Sequence, residues 1–276
     1  MTQDYLVQLL RAYWFAPPVA LWRAVELRAA AKLSYGRPLL DLGCGDGLIG
    51  QVLFAPQGQV DVGLDPWVSQ LRQAAKSGVY HHIDRGLGDA LPYVADHFST
   101  VFSNSVLEHI PDVKPVVRQV ARVLSPNGHF IFTVPSDAFR QNLDGYVRCL
   151  QAEDPERAEA YARTVDERLE HCHYHTVDEW EALLSDTGMA LVRAEYYMPR
   201  EAERFWDRMN NRYGVGRRRS AWRILVSPRL QPLGYQGLLR RIVVKHLSQR
   251  WRPYYQMNVR PGTKGGGLLI VAQGKE

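Results

Sequence analysis

Asp41 sits at the end of an apolar run, "RPLLDLG", and glycines follow it at positions 43, 45, 47 and 50. Asp65 closes a second apolar run, "VDVGLD", and Asp89 lies in "GDALP". "SNSVLEHI" then brings Asn104, Glu108 and His109 together after a third apolar run. Glycines at a strand-to-helix turn let backbone approach a ligand, and the helix N-terminus behind them favours negative charge. Two chemistries compete for such a turn. The spacing Gly45-x-Gly47-x-x-Gly50 matches the fingerprint of a dinucleotide pyrophosphate and would serve a nicotinamide oxidoreductase. The other reading starts at Asp41: a carboxylate there repels a pyrophosphate and attracts the α-amino group or sulfonium of S-adenosylmethionine.

The downstream residues agree with the second reading. Asp65 is spaced to take both ribose hydroxyls, Trp67 to pack on adenine, and Asp89 to accept from the adenine amino group. Asn104 ends its run beside the donor methyl. Cys44, Pro66 and Ala90 flank these positions and complete the expected contact set, with Cys44 a small filler rather than a nucleophile. Methyl transfer is an in-line displacement whose acceptor needs alignment and, for a hydroxyl or carbon acid, proton removal. His109 is the candidate base. Its bland alternative is a loop hydrogen bond or packing against the cofactor.

"EHCHYH" adds His171, His173 and His175, of which His173 and His175 are candidate acceptor contacts. No metal is expected. "SVLEH" offers one carboxylate where a hard cation wants several oxygen ligands, and Cys172 lacks a second ligand pair for zinc. Tyr13 and Trp14 are candidates to close over the acceptor, or simply the apolar face of an N-terminal helix.

The elements that must position these residues follow from periodicity. Strands are expected at "RPLLDLG", 60–65, "VYHHID", 99–105, 129–135, 190–198 and 266–273, with helices between them. Alternation of this kind indicates a Rossmann-like parallel sheet with helices on both faces. "TVDEWEALLSDTGM" carries a capping box, Thr176 with Glu179 three residues on. The expected organisation is an N-terminal helical cap over 1–35, a core over 36–198 and 266–276, and an insertion over 199–265.

The chain of 276 residues has no apolar run long enough to span a bilayer, and its N-terminus reads as no signal peptide. Three scattered cysteines suit reduced thiols in a cytoplasmic setting. Charge is segregated: residues 200–264 hold 16 Lys/Arg and three acids, a balance of +13, against −8 elsewhere. No acid occurs between Arg208 and Lys264. Over 235–252 a helix is expected with Leu239, Ile242, Val243, Leu247 and Trp251 as an apolar stripe bordered by Arg240, Arg241, Lys245, Arg250 and Arg252. A basic amphipathic helix of this kind docks on an anionic membrane surface. A lid is the rival reading, and nucleic acid is disfavoured because no single-strand stacking platform is evident.

The motifs "LLDLGCGDG", "VGLD", "GDALP", "SNSVLEHIPD" and "VLSPNGHFIFTVPS", in that order, resemble class I S-adenosylmethionine-dependent methyltransferases, specifically the bacterial group related to quinone-biosynthesis enzymes. The resemblance covers residues 36–135 and the helix–strand "HTVDEWEALLSDTGMALVRAEYY". It implies a seven-stranded sheet whose last strand, 266–273, runs antiparallel. It also implies cofactor contacts from Asp41, Gly43, Gly45, Asp65 and Asp89. The expected activity is methyl transfer to a small-molecule acceptor, with a lipid-linked or glycan-type metabolite favoured and an RNA-binding methyltransferase as the alternative. The acceptor atom and the oligomeric state stay open.

Overall fold

The structure, a computed structural model, describes residues 3–214 and 221–274. Arg217, Arg218 and Arg219 of the basic insertion lie outside the described residues. The chain forms two compact units. Two helices come first, α1 (Tyr5–Ala12) and α2 (Pro17–Ala30), and both belong to the helical unit described below.

The sheet unit comprises Ala31–Asp137, Glu170–Glu195 and Gly267–Glu276. Its first half alternates β1 (Leu39–Leu42), α3 (Leu48–Phe54), β2 (Val60–Asp65), α4 (Val68–Ser77) and β3 (Tyr80–Arg85). Then come β4 (Phe98–Asn104), α5 (Lys114–Val123) and β5 (Leu124–Pro135). After an excursion through α6 (Phe139–Asn142), α7 (Asp144–Gln151) and α8 (Pro155–Leu169), the chain returns as α9 (Val177–Ser185) and β6 (Ala190–Tyr197). A second excursion holds α10 (Arg200–Tyr213), α11 (Ala221–Leu225), α12 (Gln236–Arg250) and α13 (Arg252–Gln256), before β7 (Gly267–Gln273).

The sheet has seven strands in the order β3-β2-β1-β4-β5-β7-β6. β1 pairs parallel with both β2 and β4, whereas β7 runs antiparallel to β5. Strand order therefore reverses direction at β1, and a crevice opens beyond the carboxyl ends of β1 and β4. Asp41 is at that edge, registered against Gly63 of β2 and Phe102 of β4. Burial explains the anchoring. β1 is buried along its whole length, and α5 turns Val116, Val117, Val120 and Val123 inward at helical spacing. Each such side chain contributes about 1.5–3 kcal/mol of burial. α9 begins as its sequence specifies: Thr176 Oγ1 accepts from the Glu179 N–H at 3.2 Å, and Glu179 Oε2 accepts from the Thr176 N–H at 2.7 Å.

The helical unit gathers residues up to Ala30, Ala138–Leu169 and Tyr196–Gly266. This redraws the expected boundaries. Residues 138–169 leave the core for the helices, because α6, α7 and α8 supply no strand and pack on one another and on α10. Trp22 is the hub, with ring centroids 5.6 Å from Phe139, 5.0 Å from Trp206 and 6.2 Å from Tyr197. Beside it the buried Glu26 accepts from Tyr197 Oη at 2.7 Å and pairs with Arg23 at 2.8 Å.

The expected apolar stripe over 235–252 is corrected. Val243 and Trp251 are buried, and α12 packs on α1. Those side chains are therefore core and do not form a free face. Trp251 meets Phe205 edge to face at 5.5 Å. Of the expected stripe Ile242 stays exposed at 46%, and Leu238, outside the stripe, is exposed at 63%.

Glu203 is fully buried in this unit, and burial pushes its carboxyl well above the ordinary range against the opposing pull of Asn142. A folded-state pKa raised in this way means that the unfolded chain releases its proton first. Stability is then lost as pH rises above about 4.5, by up to about 1.4 kcal/mol per pH unit for one proton. Glu203→Gln is expected to remove that slope. Its melting temperature should match wild type near pH 4 and exceed it by a widening margin towards pH 8, as read by calorimetry.

Candidate active site

The turn after β1 uses its own amides. The Gly43 and Cys44 N–H groups donate to the Leu64 carbonyl at 2.8 and 3.1 Å, and Gly47 N–H donates to the Cys44 carbonyl at 3.0 Å. Gly45 N–H donates to Asp65 Oδ2 at 3.0 Å, and Leu48 N–H to Asp46 Oδ1 at 3.0 Å. A pyrophosphate cradle works by offering such donors to phosphate oxygens. Here they already have acceptors, two of them carboxylates. Gly43, Gly45 and Gly47 adopt φ of +78°, +56° and +79°, which lets the turn fold onto these acceptors without Cβ strain. Above Gly45 a Cβ would meet nothing within 4 Å, so this is the open side of the turn.

Asp65 shapes the lip. Its Oδ1 accepts from the Trp67 N–H at 2.9 Å while Oδ2 holds Gly45. A carboxylate oxygen has two lone pairs, so each keeps one for a ribose diol. Trp67, next to Pro66, is 69% exposed and presents its ring to solvent; Asp89 and Ala90 are exposed in the loop after β3. Cys44 is buried, as befits a filler: its Sγ lies 3.1 Å from where a Cβ on Gly63 would stand. Burial and the neighbouring Asp41 push its thiol pKa up, away from nucleophilic use.

Asp41 lies deeper than the other expected contacts. Its carboxylate is buried, and Oδ2 accepts from Tyr80 Oη at 2.6 Å. The phenol occupies a slot cut by glycines. A Cβ on Gly50 would stand 2.2 Å from Tyr80 Oη, and one on Gly63 would stand 2.9 Å from the ring. Gly50 thus serves the tyrosine, and the dinucleotide-like spacing has a packing cause. Burial raises Asp41 to about 7, ahead of the lowering by Tyr80 and the raising by Asp65. Asp41 acts as buried negative potential beneath the turn. Sequence reading missed Tyr80; the small residues facing it across three elements were its only trace.

Val106 forms the wall: a Cβ on Gly43 would stand 2.4 Å from Val106 Cγ2. From there the chain makes a 3-10 turn, Leu107–His109, with His109 N–H donating to the Val106 carbonyl at 3.1 Å. Asn104 ends β4 just before it and is buried. The His109 ring stays 40% exposed, with Nδ1 2.9 Å from the Glu170 carbonyl. A carbonyl only accepts, so Nδ1 carries the proton and Nε2 presents a lone pair. Glu108 Oε1 lies 3.9 Å from Nε2, near enough to stabilise an imidazolium. The Glu170 carbonyl, another contact absent from the sequence reading, fixes this tautomer.

His173 braces the turn. Its Nε2 lies 3.1 Å from the carbonyls of both Leu107 and Ile110, and burial lowers its pKa. His175 stacks on it at 4.3 Å and abuts Trp180 at 5.0 Å. Together they pin the 3-10 turn to the start of α9. Tyr13 and Trp14 lie after α1 in the helical unit, each edge to face with Phe15.

A reversed-order sheet with a seventh antiparallel strand, and a turn whose amides face inward over carboxylates, define the class I fold for an adenosyl ligand with a cationic tail. Residues 17–194 match the family model described as "Methyltransferase domain". The ubiquinone biosynthesis O-methyltransferase of Cronobacter sakazakii is 28% identical over 103 residues, 36% of this chain and 42% of that protein. The chain thus matches under half the length of this relative. Among solved structures, an S-adenosylmethionine-dependent methyltransferase from Thermotoga maritima superposes with a TM-score of 0.56 at 12% identity, covering 98% of this chain and 100% of that one. A candidate sarcosine dimethylglycine methyltransferase from Galdieria sulphuraria gives 0.53 at 17%, covering 92% and 84%. These two share the fold. The chain belongs to the class I S-adenosylmethionine-dependent methyltransferases.

The residues present fit that cofactor: an open glycine, free carboxylate lone pairs at Asp65, and buried negative charge at Asp41. Asp65→Ala is expected to weaken S-adenosylhomocysteine at least ten-fold in calorimetry, while NADH gives no heat with either protein. A cationic ligand favours ionised Asp41, so binding near pH 7 should release a fraction of a proton, readable by repeating the titration in buffers of different ionisation enthalpy. Asp41→Asn should abolish the release.

Proposed function

We propose that this protein transfers a methyl group to a hydroxyl oxygen of a small acceptor held near an anionic membrane surface, with His109 as general base. The bound cofactor supplies an electrophilic methyl on sulfur. The observation that carries the reading is the 2.9 Å contact of His109 Nδ1 with the Glu170 carbonyl. With Nδ1–H spent on Glu170, Nε2 is free to take the acceptor proton, and the buried Glu108 carboxylate offsets the resulting charge. A free amine acceptor has its own lone pair and gains little from such a base; a hydroxyl gains most. The name of the Cronobacter relative, an O-methyltransferase of ubiquinone biosynthesis, agrees with oxygen.

The membrane part keeps Ile242 of the expected stripe and adds residues outside it. Ile224 at 64%, Leu225 at 44%, Leu238 and Ile242 are all exposed. Tyr235 Oη donates to the Leu225 carbonyl, and Gln236 Nε2 to the Ser227 carbonyl at 3.0 Å, so the end of α11 lies beside the start of α12. Exposed Arg229, Arg240, Arg241 and Lys245 accompany this patch in a stretch devoid of acids. Each basic residue near an anionic surface contributes about 1 kcal/mol. A lipid-linked acceptor would then be met where it resides.

His109→Ala should lower turnover by about 10²–10⁴-fold with S-adenosylhomocysteine affinity unchanged. Labelled methyl transferred into a membrane extract should be recovered as an alkali-stable ether. Full turnover in the variant, or label on nitrogen, would overturn the assignment. Flotation with phosphatidylglycerol vesicles should retain the protein at low salt and lose it in Leu238→Ser/Ile242→Ser. Retention by RNA but not by vesicles would replace the membrane reading with a nucleic-acid one.

A further inference from the structure

The helical unit contains a cavity of about 720 Å³ between α7, α8 and α10. Its floor is closed and self-satisfied. Tyr161 Oη donates to Asp207 at 2.7 Å, and the Gly145 N–H donates to Asp207 Oδ2 at 3.0 Å. α7 seats directly on the tyrosine ring: a Cβ on Gly145 would stand 2.2 Å from Tyr161 Cζ. Ala152 and Ala160 add apolar wall. The rim is cationic, with Arg148, Arg157 and Arg208 from three different helices.

The acids lining the cavity are engaged. Asp144 Oδ1 accepts from Arg208 Nη1 at 2.6 Å, and Asp154 Oδ1 accepts from the Arg157 N–H at 2.9 Å. Arg148 and Arg157 form no side-chain ion pair among the described residues. Two uncommitted guanidinium forks on neighbouring helices, above a floor whose polar groups are already paired, match a group with several equivalent anionic oxygens borne on an organic body. A bare phosphate would leave most of this volume unfilled, since sites of 300–1,000 Å³ hold ligands of drug size.

We propose that this cavity binds a phosphomonoester of a small organic molecule, through Arg148 and Arg157. The site stands on the helical unit alone and does not depend on the methyl-transfer reading.

Calorimetry on the full chain tests it, with glucose 1-phosphate, glucose and short-chain phosphatidic acid as probes. Glucose 1-phosphate should bind at millimolar concentration or better, and glucose should not. Arg148→Gln/Arg157→Gln should weaken binding about ten-fold or more, which is about 1.4 kcal/mol. Lys114→Gln/Arg118→Gln on α5 should leave it unchanged. Far-ultraviolet circular dichroism and an unaltered melting temperature confirm that both variants fold. If phosphatidic acid also binds in an Arg148/Arg157-dependent way, the site accepts a lipid-borne phosphomonoester; if only the sugar phosphate does, the source is a free metabolite. The proposal falls if neither phosphate probe binds. It also falls if the cavity variant binds like wild type, or if the α5 variant loses as much, since general surface charge would then explain the effect.

Discussion

The turn after β1 gives its amide hydrogens to the protein's own oxygens, and the rest of the site follows from that constraint. Leu64, Cys44, Asp46 and Asp65 each receive a hydrogen bond within the turn or from its flank. A Rossmann-like edge ordinarily exposes donors at this point and so selects a phosphate. Here the lip presents acceptors instead, with Asp41 buried beneath and Asp65 at the rim. The sign of the local potential is thereby inverted while the backbone course stays the same. This is how one architecture serves two unrelated cofactors.

Beneath the turn, the glycines have two employments. Gly43, Gly45 and Gly47 provide left-handed backbone, whereas Gly50 and Gly63 clear space for a phenol. Tyr80 in turn holds the Asp41 carboxylate. A buried acid without that donor would sit still higher in pKa and lose its charge at neutral pH. At the other side of the crevice, histidines divide the labour: His173 and His175 fasten the 3-10 turn, which leaves His109 its exposed nitrogen. These histidines come from distant parts of the chain, and only their hydrogen-bond partners tell them apart.

Much of the sheet was legible in the sequence. β2 occupies 60–65 as expected, β7 falls within one residue of its expected start, and Thr176 caps α9 through Glu179. These features are local: period-two alternation, a run of small residues, a box four residues long. The misreadings are all long-range. Nothing in "EHCHYH" shows that the His173 nitrogen reaches two carbonyls of the turn after β4, and nothing beside Asp41 shows that its neighbour is Tyr80. The α12 stripe is divided, with Val243 and Trp251 buried and Ile242 exposed, because amphipathicity does not say whether the partner is lipid or another helix. Residues 138–169 went to the wrong unit for a similar reason, since sequence adjacency to β5 carries no information about packing.

β7 lies between β5 and β6, although it follows both in the chain. During vectorial synthesis β5 must therefore emerge with one edge bare, and β6 cannot be recruited until the final strand inserts between them. An unpaired central edge rich in Phe and Val is adhesive towards other nascent chains. Two helical excursions are synthesised in that interval, so the sheet closes late, and the cell has reason to shelter this chain until it does.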